Sequence, residues 1–124
     1  MIGCHGGETP KHRTSAFLVN DRVAIDAGAL TSGLELAEQA RIEVCLVSHA
    51  HLDHVRDLST LADNRCQMNA PTLIVAGTRE TLVELLLLAG DIRAARSAAG
   101  PRPEARTAAL LAIAGDGALP ASAD

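Results

Sequence analysis

Aromatic residues are almost missing from this chain: one Phe, no Tyr and no Trp in 124 residues. Aromatics supply much of the buried area of most cores. A core here must be built from aliphatic side chains, and the 48% apolar content supplies them. Cysteine is scarce. Cys4, Cys45 and Cys66 are widely spaced and form no C-x-x-C. That argues against a disulfide framework and suits a reducing compartment. Long apolar runs are lacking too. The strongest, residues 85–89, lies between Glu84 and Asp91 and is far too short to span a bilayer. No signal peptide precedes the first Gly, so cytoplasm is the expected compartment and no membrane partner is expected. A basic excess is also absent. The formal net charge is −4, which gives no electrostatic reason to expect nucleic acid.

What the chain does have is concentrated in one stretch, Ser48-His49-Ala50-His51-Leu52-Asp53-His54. His49, His51, Asp53 and His54 can each give a lone pair to a metal ion. Upstream, Val44-Cys45-Leu46-Val47 reads as the short buried part of a strand over 42–47, with Cys45 as a small core hydrophobe. Downstream, Val55, Leu58 and Leu61 recur at helical spacing and predict a helix over 52–64. The donors therefore sit beyond the carboxyl end of a strand, where α/β proteins tend to bind ligands. Residues two apart in a loop can point the same way, so His49 and His51 can hold one ion. Asp53 and His54, opening the helix, can aim at a second. Imidazole and carboxylate suit zinc, manganese or iron, and two such ions about 3.5–4 Å apart can clamp both oxygens of a phosphoryl displacement.

The rest of the chain is legible as strands and helices. Gly3-Cys4-His5-Gly6-Gly7 permits close backbone approach and reads either as a rim of the site or as an ordinary turn. Ser15 to Val19 and Arg22 to Ile25 flank Asn20-Asp21, a hairpin with good turn chemistry. Asp26 follows; from the residues alone it can be an Asx-turn residue. Ser32-Gly33-Leu34-Glu35 fits a capping box, with Leu34, Ala37 and Ala40 as the apolar face of a short helix. After Pro71, residues 72–76 read as a buried strand. Thr78 can cap a helix with Glu80 in its first turn and Leu82, Leu85 and Leu86 on one side. Alternating strands and helices predict an α/β, or α+β, domain with helices against a sheet.

His49-Ala50-His51-Leu52-Asp53-His54 resembles the H-x-H-x-D-H signature of the metallo-β-lactamase superfamily, and more narrowly the H-x-H-L-D-H of class II cyclic-nucleotide phosphodiesterases. Gly3-Cys4-His5-Gly6-Gly7-Glu8, then Thr14-Ser15-Ala16-Phe17-Leu18-Val19 and Ile25-Asp26-Ala27-Gly28-Ala29, resemble the bacterial branch of that group. Arg56-Asp57 departs from it, standing where the class II pattern usually has a Gly.

The resemblance covers about residues 1–84. It implies the N-terminal half of an αββα sandwich. It also implies hydrolysis of a phosphodiester, the 3′,5′-cyclic bond of cAMP or cGMP, with two Zn²⁺ (or Mn²⁺ or Fe²⁺) as cofactors. His49, His51, Asp53 and His54 are the implied metal ligands. Asp53 is also the implied catalytic group, and Asp26 the residue that orients a ligand from beneath. Relatives with the same motif cleave thioesters, lactams and RNA.

Residues 85–124 have a different character, rich in Ala, Arg, Gly and Pro, and no His follows His54. The expectation is a foreign tail of frameshift composition, broken at Gly100-Pro101-Arg102-Pro103. It holds a weak helix over 105–114, and its last residues are disordered. The distal ligands of the family site are missing from it. A catalytically inactive metal-binding fragment is therefore the alternative to an active enzyme. Half a sandwich also leaves one sheet face uncovered, which predicts a marginal monomer and a homodimer through that face.

Overall fold

The computed structural model of the chain describes residues 1–88 and the backbone of 109–113. It is a mixed α/β fold. In chain order the elements are β1 (Phe17–Val19), β2 (Val23–Ile25), α1 (Leu30–Gly33), α2 (Leu36–Arg41), β3 (Val44–Leu46), α3 (Leu52–Val55), α4 (Leu58–Gln67), β4 (Leu73–Gly77), α5 (Arg79–Leu88) and β5 (Ala109–Ile113). The strands lie in the order β1-β2-β3-β4-β5. β1 runs antiparallel to β2, the β2–β3 and β3–β4 pairs are parallel, and β5 closes antiparallel on β4.

The hairpin forms because Asn20 and Asp21 accept positive φ, 50° and 58°. Two such residues make the tight turn whose twist matches paired strands. The next two connections, through α1–α2 and α3–α4, join parallel neighbours in monotonic order. Parallel crossovers are right-handed almost without exception, so two in the same direction put their helices on one face. The register shows the consequence. Leu18, Ala24, Cys45 and Val75 form one row, and the last three are fully buried. Small Ala24 and Cys45 let the helices approach, and Leu30, Ile42, Leu61 and Leu82 complete the aliphatic core. The flanking rows, Phe17-Ile25-Leu46 and Val19-Val23-Val44-Ile74, point the other way. There Phe17 is 37%, Val19 45%, Ile25 37% and Leu46 42% exposed.

Several expectations are corrected. The capping box sits three residues later than predicted: Glu35 N–H donates to the Glu38 carboxylate at 2.8 Å, while Ser32 lies inside α1. The buried residue of α2 is Gln39, and Ala37 is exposed. Gln39 is held there by the Leu34 carbonyl and by Asn64 of α4, both at 2.9 Å, so a polar network replaces the apolar face. The helix predicted over 52–64 is two helices, broken at Arg56-Asp57, where Asp57 turns in to accept the Thr31 N–H at 2.9 Å. Residues 109–113 are a strand on β4, not a helix. α5 itself runs through residues 84 and 85, with Leu82 and Leu86 buried. The disorder expected of the last residues, and the break at 100–103, lie outside the described residues. Among the described residues no helix is long and apolar enough to cross a membrane.

Candidate functional site

The site is assembled where β2 and β3 end side by side. Asp26 leaves β2 at φ 60° and is buried. Ser48 stands two residues beyond β3. The Asp26 carboxylate accepts the Ser48 N–H at 2.8 Å, and the Ser48 hydroxyl lies 2.9 Å from Oδ1 and 2.8 Å from Oδ2. The Asx-turn alternative is thus not what the side chain does: its oxygens reach across to the next strand. α3 is pinned to the same strand ends by backbone bonds. Ala27 N–H donates to the His54 carbonyl at 2.6 Å and Ser15 N–H to the Asp53 carbonyl at 3.1 Å. Gly28 makes this approach feasible, because a Cβ there would stand 2.0 Å from the Asp53 carbonyl oxygen.

The pairing brings the four motif residues together. The His49 and His54 ring centroids are 3.9 Å apart and those of His49 and His51 4.6 Å. Asp53 Oδ2 lies 3.3 Å from His54 Nε2. The hydrogen-bond inventory assigns the tautomers. His54 Nδ1 is 2.7 Å from Asp26 Oδ2, and a carboxylate only accepts, so Nδ1 carries the hydrogen. The single Ser48 hydroxyl proton goes to the same carboxylate. His49 Nδ1, 2.9 Å from Ser48 Oγ, must then donate. Both rings therefore turn Nε2 away from the Ser48–Asp26 hub, the arrangement that orients metal-bound imidazoles in general. His54 Nε2 and Asp53 Oδ2 stand 3.3 Å apart, a contact that a hydrogen on Nε2 or a cation between the two makes favourable.

The glycine-rich loop runs beside this cluster. A Cβ on Gly6 would lie 3.9 Å from Asp53 Oδ2, and Glu8 is ion-paired to Arg56 just after α3. The His5 and His12 rings meet at a tilt of 53°, with centroids 4.3 Å apart. Sequence reasoning missed Glu8, Arg56 and the hub role of Ser48. Their partners are distant along the chain, and only the site position of Ser48 gave a signal.

The donor types suit a divalent cation; their number at one point falls short. Among the described residues no three His, Cys, Asp or Glu side chains gather closely enough to hold one ion. Catalytic zinc takes three protein ligands plus water. Compared with family models, curated protein sequences and solved structures, the chain matches none.

Proposed function

We propose that the His49–His54 cluster seats a divalent cation, Zn²⁺ first and Mn²⁺ or Fe²⁺ next. We propose further that the chain is a metallo-β-lactamase-like hydrolase of phosphodiesters, with 3′,5′-cyclic nucleotides as substrate class. The observation that carries the reading is that His54 Nε2 and Asp53 Oδ2 stand 3.3 Å apart beside His49, with both rings fixed from behind by Asp26 and Ser48. The H-x-H-L-D-H spacing and the bare sheet face, which suits one half of an αββα sandwich, support it. A bound cation would offer positive charge to a phosphate oxygen. The chain's own part is to hold the imidazole tautomers and to keep Asp53 at the mouth of the site. No catalytic step follows from a seat with fewer than three converging donors.

That shortfall, and the lack of any His after His54, favour a second reading: a metal-binding module without turnover. Two measurements separate them. Zinc titration followed by calorimetry is expected to show binding weakened 10- to 100-fold by Asp26→Asn, which removes the orienting carboxylate. Hydrolysis of cAMP with Zn²⁺ or Mn²⁺ is then compared between wild type, His51→Ala and Asp53→Ala. Equal rates in all three would leave the binding module standing, and no saturable zinc binding would remove both readings.

A further inference from the structure

The opposite end of the parallel strands holds a cavity of about 130 Å³, lined by residues that include Arg22, Arg41, Arg65, Glu43 and Thr72. Arg22, Glu43 and Thr72 each immediately precede a strand, so the cavity opens at the amino ends of β2, β3 and β4, away from the histidines. Its floor is unusual. Arg65 is only 4% exposed, and its guanidinium donates to the carbonyls of Gln39 at 2.8 Å, Ala40 at 2.9 Å and Pro71. Those three bonds use three of five N–H donors. They tie the end of α2 to the approach of β4.

Carbonyls satisfy hydrogen bonds but carry no net charge. Among the described residues no Asp or Glu is ion-paired with Arg65. Buried charges are ordinarily paired, since desolvation disfavours an uncompensated one. Burial accordingly pushes the Arg65 guanidinium below its ordinary pKa. The neighbouring charges do not repair this. Glu43 is already ion-paired with Arg22, and Arg41 adds a further positive charge. Three arginines against one glutamate leave the lining net positive, although the whole chain is net negative.

We infer that this cavity is a binding site for a small oxyanion, of phosphate or carboxylate chemistry. The anion supplies the counter-charge that Arg65 lacks and is held at the rim by Arg41 and by the Thr72 hydroxyl. The volume suffices: a single water needs roughly 10–15 Å³ on this measure, so a tetrahedral oxyanion has room. The site is independent of the proposed metal seat and stands whether or not that seat is correct.

The test is amide chemical-shift mapping of the metal-free protein with inorganic phosphate, against acetate and chloride at matched ionic strength. The expected result is saturable shifts at Ile42, Glu43 and Thr72, with a Kd of about 1–10 mM. Shifts at His49 to His54 are expected to stay small. Arg41→Gln, on the exposed rim, should weaken phosphate at least threefold, and Arg65→Met should abolish it. Saturation by acetate alone would assign a carboxylate ligand, and by phosphate alone a phosphate ligand. If Arg65→Met fails to fold, Arg41→Gln and Arg22→Gln decide. Shifts that chloride reproduces, shifts confined to the histidine end, or an affinity unchanged by Arg41→Gln would each overturn the inference.

Discussion

One side of the sheet carries Ala24, Cys45 and Val75, all fully buried beneath helices; the other carries Phe17, Val19, Ile25 and Leu46, all substantially open to solvent. Both sides are apolar. The difference is therefore not one of composition but of connection. Two parallel crossovers in a monotonic strand order, right-handed by the general rule, cover one face and leave the other open. The candidate site lies on the edge between them, where Asp26 and Ser48 emerge from adjacent strands. Its backbone is anchored from the covered side, through Ala27 and the buried Asp57, whose N–H donates to the Ala27 carbonyl at 2.8 Å.

The largest effect should come from the covered side. Leu61 is fully buried on α4, and Leu61→Ala leaves a cavity that an aliphatic core without aromatics has little means to fill. The expected loss is about 2–5 kcal/mol, measured by urea unfolding. A loss below about 1 kcal/mol would mean that the helices sit loosely on the sheet and that the two faces differ less than their exposure indicates.

A pH measurement sharpens the same contrast. Burial first, and the Asp26 charge second, push the Cys45 thiol from 9.0 up to about 12. The folded state thus holds this proton more tightly than the unfolded chain. The contribution to stability is complete below pH 9.0 and is lost as pH rises from there toward 12. Wild type should lose more stability over that range than Cys45→Ala, as read by urea midpoints at successive pH values. Thiol labelling at about pH 8.5 should modify Cys4 and Cys66, both exposed, and spare Cys45 until the protein unfolds. Rapid labelling of all three would place β3 at an open surface.

Much of this contrast was legible in the sequence. The Asn20-Asp21 turn fixed the hairpin, and the Val55, Leu58 and Leu61 spacing identified the buried stripe that follows the motif. Local signals worked where the deciding partner was local. They misplaced the cap, because Ser32-x-x-Glu35 and Glu35-x-x-Glu38 overlap and the turn after α1 chose the second. They turned 109–113 into a helix, because a five-residue run of Ala, Leu and Ile fits either period and pairing with β4 decided it. At the site, the four motif residues are adjacent in sequence and so were readable. Arg65 was not: nothing local marks an arginine whose partners are the carbonyls of Gln39, Ala40 and Pro71.

The smallest effect on stability, and the sharpest on association, is expected from the bare face. Leu46 stands on β3 between Ile25 and Ala76, and Leu46→Lys puts one charge into the row. Because the side chain is already open to solvent, the dilute monomer should change by no more than about 0.5 kcal/mol. Association is a different matter. Exposed apolar patches of a few hundred Å² mark interaction sites, while a standard interface takes about 800 Å² from each partner. A homodimer through this face is therefore expected to be weak and concentration-dependent. Sedimentation velocity across a concentration series should show it in wild type and lose it in Leu46→Lys. A wild-type chain that stays monomeric and melts sharply at high concentration would exclude the dimer. A destabilisation by Leu46→Lys as large as that of Leu61→Ala would show that this face is covered within one chain, and the asymmetry argued from the crossovers would fall with it.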